Sequence, residues 1–183
     1  MRLSKDFYNR NALSVARDLL GKVLVRRIGK VTVRYRIIET EAYCGTKDLA
    51  CHSSRGRTKR TEIMFGPAGR AYVYMIYGMY HCLNIVTKEA GGAVLIRAGE
   101  LVPRPKSKLK LPVESRLNGP GILCRELKID KKLNGADLTK SKELRLEDHL
   151  AAKLLSGRVR RKKRIGVDYA GEYKDKLWRF VLD

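Results

Sequence analysis

The stretch Lys22–Tyr43, KVLVRRIGKVTVRYRIIETEAY, decides the class of fold. Val23 and Val25 recur at every second position. Val31, Val33 and Tyr35 alternate with Thr32, Arg34 and Arg36. That period marks two strands, with Ile28-Gly29-Lys30 as the turn of an antiparallel hairpin. The second strand is expected to end in Glu39-Thr40-Glu41. Upstream, Asn11 can cap a short helix with Leu13, Ala16, Leu19 and Leu20 on one side and Gly21 closing it. Downstream, Gly45–Gly69 holds enough Gly, Ser and Thr to stay outside a sheet. Ala71–Thr87, AYVYMIYGMYHCLNIVT, is β-branched and aromatic and reads as strand broken by Gly78.

The remaining segments complete a mixed pattern. Ala93–Ala98 (AVLIRA) reads as a buried strand. The basic, Pro-containing stretch 104–116 reads as a surface loop or a lead-in to a helix, and Asn118-Gly119-Pro120-Gly121 as a helix start, with proline near the first position. Glu147–Leu155 is expected to be a short helix closed by Gly157. The run from Arg158 to Arg164 reads as a basic edge strand, and LWRFVL as a final strand. Strands and helices lack regular βαβ alternation, so the class is α+β, in one domain spanning 1–183.

Charge points to the partner. Lys and Arg number 40 against 19 Asp and Glu, a formal net charge of +21 over 183 residues. A surplus that large favours a polyanion, and nucleic acid is the natural candidate. With 44% hydrophobic residues the chain can still build a core. The longest uncharged run, Ala71–Thr87, is too short and too polar for a membrane span, and the N-terminus has no apolar signal core. A cytoplasmic, nucleoid-associated protein of a prokaryote is therefore expected, with no membrane partner. The four cysteines form no CxxC pair, and Cys51-His52 alone is a weak ligand signal, so neither metal nor cofactor is expected. GxxxxGK[ST] and GxGxxG are absent.

Chemistry-bearing residues stand out against this background. Glu39 and Glu41 share one strand face, and Glu41 lies between Ile37-Ile38 and Ala42-Tyr43. A carboxylate kept in an apolar setting usually has a job. Arg97 ends a buried strand and is the natural ion-pair partner for Glu41. Four tyrosines fall between Tyr72 and Tyr80. On an extended strand Tyr72, Tyr74 and Ile76 point one way and Val73, Met75 and Tyr77 the other. They form either an aromatic core face or a platform for bases, as at base-flipping sites. Tyr77-Gly78 belongs at a hairpin tip, where a core residue has little reason to be. His52, in a polar loop, fits stacking or hydrogen bonding to a base better than metal ligation.

IIETEAY (Ile37–Tyr43), the loop with His52 and Ser53, Phe65–Asn84, AVLIRA, LNGPGILCREL and RIGVDYAGE occur in one order. In that order they resemble the alkyladenine-type 3-methyladenine DNA glycosylases, over roughly Leu3 to Phe180. The resemblance implies an α+β domain related to the formyltransferase C-terminal domain. Its curved antiparallel sheet, flanking helices and protruding β-hairpin would meet the DNA minor groove. It implies a monomeric, monofunctional enzyme of base excision repair, acting on duplex DNA that carries alkylated or deaminated purines of the 3-methyladenine, 7-methylguanine and hypoxanthine class. The catalytic Glu maps to Glu41, a water-site Arg to Arg97 and a water-site backbone carbonyl near Ile165. The base pocket maps to Tyr43, Ala50, His52 and Tyr74, and Asn84 takes the position that obstructs a guanine amino group. The DNA-intercalating wedge maps to Tyr77, with Met79 beside it. The alternative from another class is a non-catalytic basic nucleic-acid-binding module, which has no use for Glu41 or Arg97.

Overall fold

The computed structural model describes residues 1–102, 114–149 and 159–183. Its helices are α1 (Lys5–Tyr8), α2 (Ala12–Asp18) and α3 (Pro120–Glu126). Its strands are β1 (Val23–Ile28), β2 (Val31–Cys44), β3 (Ala71–Ile76), β4 (Tyr80–Val86), β5 (Gly92–Leu101), β6 (Arg116–Asn118), β7 (Leu144–Glu147), β8 (Val159–Lys162) and β9 (Arg179–Leu182). All join one antiparallel sheet among the described residues. The main path runs β3-β4-β5-β2-β1-β7, with β6 on β5 and β9 bridging β2 to β8.

The long strand β2 organises the molecule. One edge pairs with β5 from Tyr35 to Cys44. The other edge is shared in series: Val31–Arg36 pairs with β1, and Glu39–Glu41 pairs with β9. The change of partner coincides with register shifts between Ile37 and Thr40. A bulge there bends the strand and raises its twist, so the two halves can serve different neighbours. Glu41 lies just past the bend. The strand does not end at Glu41 as its sequence suggests but continues to Cys44. Tyr43 therefore stays in register opposite Ala93 on β5.

The core lies under this sheet. Asn11 caps α2 as expected, its side chain accepting from Ser14 N at 2.8 Å. The helix lays Val15, Ala16 and the following Leu19 against the sheet without exposure. Thr40 Oγ1 ties β2 to it by donating to the Ala16 carbonyl at 2.8 Å. The helix α3 begins at Pro120, where a missing N–H costs nothing. One expectation fails: Glu147 ends a strand, β7, which pairs with β1 rather than opening a helix. Asp148 and His149 follow β7 without helix, and residues 150–155 of that expected helix, like 104–113 of the basic stretch, lie outside the described residues. Among the described residues no helix is long and apolar enough to cross a membrane.

Candidate active site

The aromatic segment folds as the hairpin β3–β4, with Ile76 opposite Tyr80. Met79 N donates to Ile76 O at 3.2 Å, and Tyr77 and Gly78 take φ of +53° and +69°. Two successive positive φ values are the signature of a type I′ turn, whose twist suits a hairpin. Tyr77 is 80% exposed and Met79 66%. Strict alternation predicts that Tyr77 faces away from Tyr72 and Tyr74. Its left-handed backbone turns it instead toward the cavity that those two rings line.

That cavity has a volume of 310 Å³. This is the small end of the ~300–1,000 Å³ typical of small-molecule sites. Its walls come from separate parts of the chain: Tyr43 at the end of β2, Ala50 and His52 from the loop 45–69, Tyr74 from β3, Asn84 from β4 and Arg97 from β5. Every residue expected in the base pocket is therefore brought to one place. The loop that carries His52 is fixed by its neighbours. Ser53 Oγ donates to Gly91 O at 2.8 Å, and a Cβ on Gly91 would sit 2.4 Å from the Ser53 Cβ, so only glycine admits this approach.

The aromatic wall is hydrogen-bonded. His52 Nδ1 lies 3.0 Å from the Tyr72 hydroxyl, and its ring meets Tyr74 edge-on, centroids 4.5 Å apart. Burial, with help from the Arg60 cation, lowers the His52 pKa to about 4, so the imidazole is neutral at physiological pH. Arg60 covers the Tyr74 ring at 5.2 Å. Asn84 Nδ2 donates to the Tyr72 carbonyl at 3.2 Å, which holds its amide at the cavity wall.

Glu41 lies behind this wall with 0% exposure. Oε1 accepts from Ile165 N at 2.9 Å and faces Arg97 Nη1 at 3.3 Å, while Oε2 accepts from Tyr43 Oη at 2.9 Å. Burial pushes the Glu41 carboxyl above the usual carboxylate range, and Arg97, the Ile165 amide and the Tyr43 hydroxyl pull against it. Arg97 also binds Glu39 through Nε at 3.0 Å, and Arg179 Nη1 donates to the same Glu39 oxygen at 3.0 Å. The shared strand face read from the spacing of Glu39 and Glu41 thus holds, and Arg97 joins the two acids. Ile165 is tied to Glu41 through its backbone amide N–H.

Two residues outside the sequence reading complete the site. Asp48 and Arg164 form an ion pair with both side chains at 0% exposure. Arg164 closes a basic run that reads as a solvated strand face. However, β8 ends at Lys162, so strand alternation no longer governs position 164. Asp48 is one of only two acids, with Glu62, in a loop rich in Lys and Arg, and that was the available signal for it.

A family model described as methylpurine-DNA glycosylase matches residues 6–183. The chain belongs to the methylpurine-DNA glycosylase family. A relative from Methanocella arvoryzae is 50% identical over 97% of this chain and 90% of its own. One from Desulfitobacterium hafniense is 48% identical over 100% and 95%. One from Legionella pneumophila is 46% identical over 99% and 94%. All three are provisionally named 3-methyladenine DNA glycosylase. The chain is accordingly a DNA glycosylase of base excision repair, and the non-catalytic alternative falls away. A glycosylase needs a place for a base and a group to promote water attack. The cavity and the carboxylate behind it are the candidates.

Proposed function

We propose that this glycosylase turns an alkylated or deaminated purine out of duplex DNA into the cavity between Tyr43, His52 and Tyr74, and hydrolyses its N-glycosidic bond with water activated by Glu41. The observation that carries the proposal is a fully buried carboxylate, held by donors on both oxygens, directly behind an aromatic cavity.

Departure of the purine builds positive charge on the deoxyribose, as in glycoside hydrolysis. A carboxylate beside the anomeric carbon stabilises that charge and accepts a proton from water as the C1′–O bond forms. The C1′–N9 bond breaks with its electron pair on the purine. An N3- or N7-alkylated purine is cationic before cleavage and leaves neutral. A deaminated purine takes up a proton from solvent water as it leaves. A cationic base gains cation–π attraction from the tyrosine faces. A neutral His52 adds a stacking surface without adding repulsion. Asn84, in this reading, obstructs a guanine amino group and spares normal guanine.

Tyr77, with Met79, would enter the minor groove and fill the gap left in the stack. No lysine lines the cavity among the described residues, so the pathway is hydrolysis to an abasic site without a Schiff base. The decisive test is incubation of a duplex carrying one hypoxanthine or 3-methyladenine, followed by alkaline cleavage at abasic sites. Strand breaks confined to the lesion position are expected. An uncleaved duplex for both lesions and for 7-methylguanine would refute the assignment.

A further inference from the structure

The Asp48–Arg164 pair adjoins the two hydrogen-bond donors of Glu41, Tyr43 and Ile165. Arg164 Nη2 donates to Asp48 Oδ1 at 2.8 Å and Nη1 donates to Oδ2 at 2.5 Å, a two-pronged arrangement that fixes the guanidinium plane. Nη1 also donates to the Ala42 carbonyl at 2.9 Å, on β2 between Glu41 and Tyr43. The guanidinium carbon lies 4.8 Å from the centre of the Tyr43 ring and 5.0 Å from that of Trp178. Asp48 in turn accepts from Cys44 N and from Ala50 N, each at 3.1 Å, tying the end of β2 to the wall of the cavity. Arg164 is also the residue before Ile165, whose amide donates to Glu41.

From this geometry we infer that the Asp48–Arg164 pair is a positioning device for the reaction, holding the Tyr43 hydroxyl and the Ile165 amide on the two oxygens of Glu41. The inference rests on the reading of Glu41 as the group that activates water. The pair is neutral as a unit, so what it supplies is placement without net charge. A buried pair of this kind is a weak source of stability, because desolvation offsets most of the attraction. Its retention beside a reacting carboxylate is better explained by geometry. The groups that face Glu41 are Arg97 from β5, Arg179 from β9, Cys82 from β4, Tyr43 on its own strand and Glu39, which shares Arg97 with it. Beyond them lies Arg164, whose charge Asp48 cancels.

Base release from hypoxanthine DNA, measured in single turnover with enzyme in excess, tests this, because the rate constant then reports only folded enzyme. Asp48→Asn leaves Arg164 as an uncompensated cation, which favours the Glu41 carboxylate. The reaction should slow and the acid limb of its pH profile should move to lower pH. Arg164→Lys keeps the charge but loses the two-pronged plane. It should slow the reaction about 100-fold, the scale expected when a reacting group is misplaced by ~1 Å, with the acid limb unmoved. Wild-type rate constants in both variants would overturn the inference. So would a slowed Asp48→Asn enzyme with an unmoved acid limb, since loss of packing alone leaves that limb in place. Glu41→Gln is the parallel arm. If it stays within ~10-fold of wild type, the reading of Glu41 has failed. If it is inactive while both pair variants behave as wild type, only the positioning role has failed.

Discussion

Tyr43 Oη donates to Glu41 Oε2 at 2.9 Å from two residues along the same strand. A regular strand sends residues i and i+2 to one face, so the contact is built into β2 itself. The hydroxyl favours the charged form of Glu41 and works against burial. Tyr43→Phe removes that donor and leaves the ring. The acid limb of the pH profile for base release should move upward. An unmoved limb would show that Tyr43 does not touch the titrating group.

Glu41→Gln separates function from stability. The glutamine oxygen can still accept from Ile165 and Arg97, and its amide can donate to the Tyr43 oxygen, so the site stays satisfied. Base release should fall by about 10²–10⁴-fold, the usual weight of a positioned acid–base group. Folding disfavours the Glu41 carboxylate, because burial raises its pKa. A raised carboxyl costs stability as pH rises through its unfolded value, and the neutral amide removes that cost. The variant should therefore melt no lower than wild type at neutral pH, and bind lesion DNA as well or better. A lower melting temperature would show that the buried charge stabilises the fold.

His52 predicts a pH dependence of stability. Its pKa is lowered to about 4 in the folded protein from 6.5. The unfolded chain therefore binds the extra proton first, and stability falls as pH drops from about 6.5 through about 4. The loss is absent above the unfolded value. His52→Asn should weaken this slope. Melting temperatures of both proteins at pH 7.5 and 4.5 check it, and equal losses on acidification would exclude His52 as the cause.

DNA affinity should depend steeply on salt and little on sequence. Arg55, Arg57, Lys59 and Arg60 on one loop, and Arg160, Arg161 and Lys162 on β8, are exposed. About five phosphate contacts give a log–log slope of roughly −4 to −5. Arg164 belongs to the same basic run but is buried against Asp48, so it contributes nothing to that slope. Lys59→Ala should reduce the slope by about one while Arg164→Lys leaves it unchanged. A slope near zero would turn these faces away from DNA.

Some residues of the site were legible because they broke a local rule, while Tyr43, Ala50 and Asn84 came from the family resemblance alone. Glu41 is a charge inside an apolar strand, and Tyr77-Gly78 is an aromatic at a turn. Their meeting with His52 and Arg97 depended on the family resemblance, since no local pattern joins β2, β5 and the loop 45–69. The strand β7 was hidden because Leu144–Glu147 is only four residues long and gains its pairing from distant β1. Arg164 was hidden for a different reason. Charge runs are usually solvated, and only the end of β8 at Lys162 releases the chain to turn one of these cations inward. The facing of Tyr77 could not be read either, because alternation assumes negative φ at every step.

Tyr77 also offers a way to separate DNA binding from folding. A non-glycine residue with φ of +53° is strained by its own Cβ, and this one is 80% exposed, so packing repays little of the strain. A planar ring held out at a hairpin tip suits insertion into a gap in stacked bases, which otherwise costs a few kcal/mol to open. Tyr77→Gly fits the same turn without strain. It should melt at or above the wild-type temperature and yet bind lesion DNA ~1–3 kcal/mol more weakly, the range for loss of one base–aromatic stack. Tyr77→Phe should keep most of the affinity, because the ring carries the effect. Tyr77→Ala should lose affinity like the glycine variant while keeping the backbone strain. Stability and affinity thus move in opposite directions in the glycine variant. Melting and lesion binding measured on all three variants decide the matter. A glycine variant that melts far below wild type but binds normally once folded would place Tyr77 among the supports of the fold and remove it from the DNA interface.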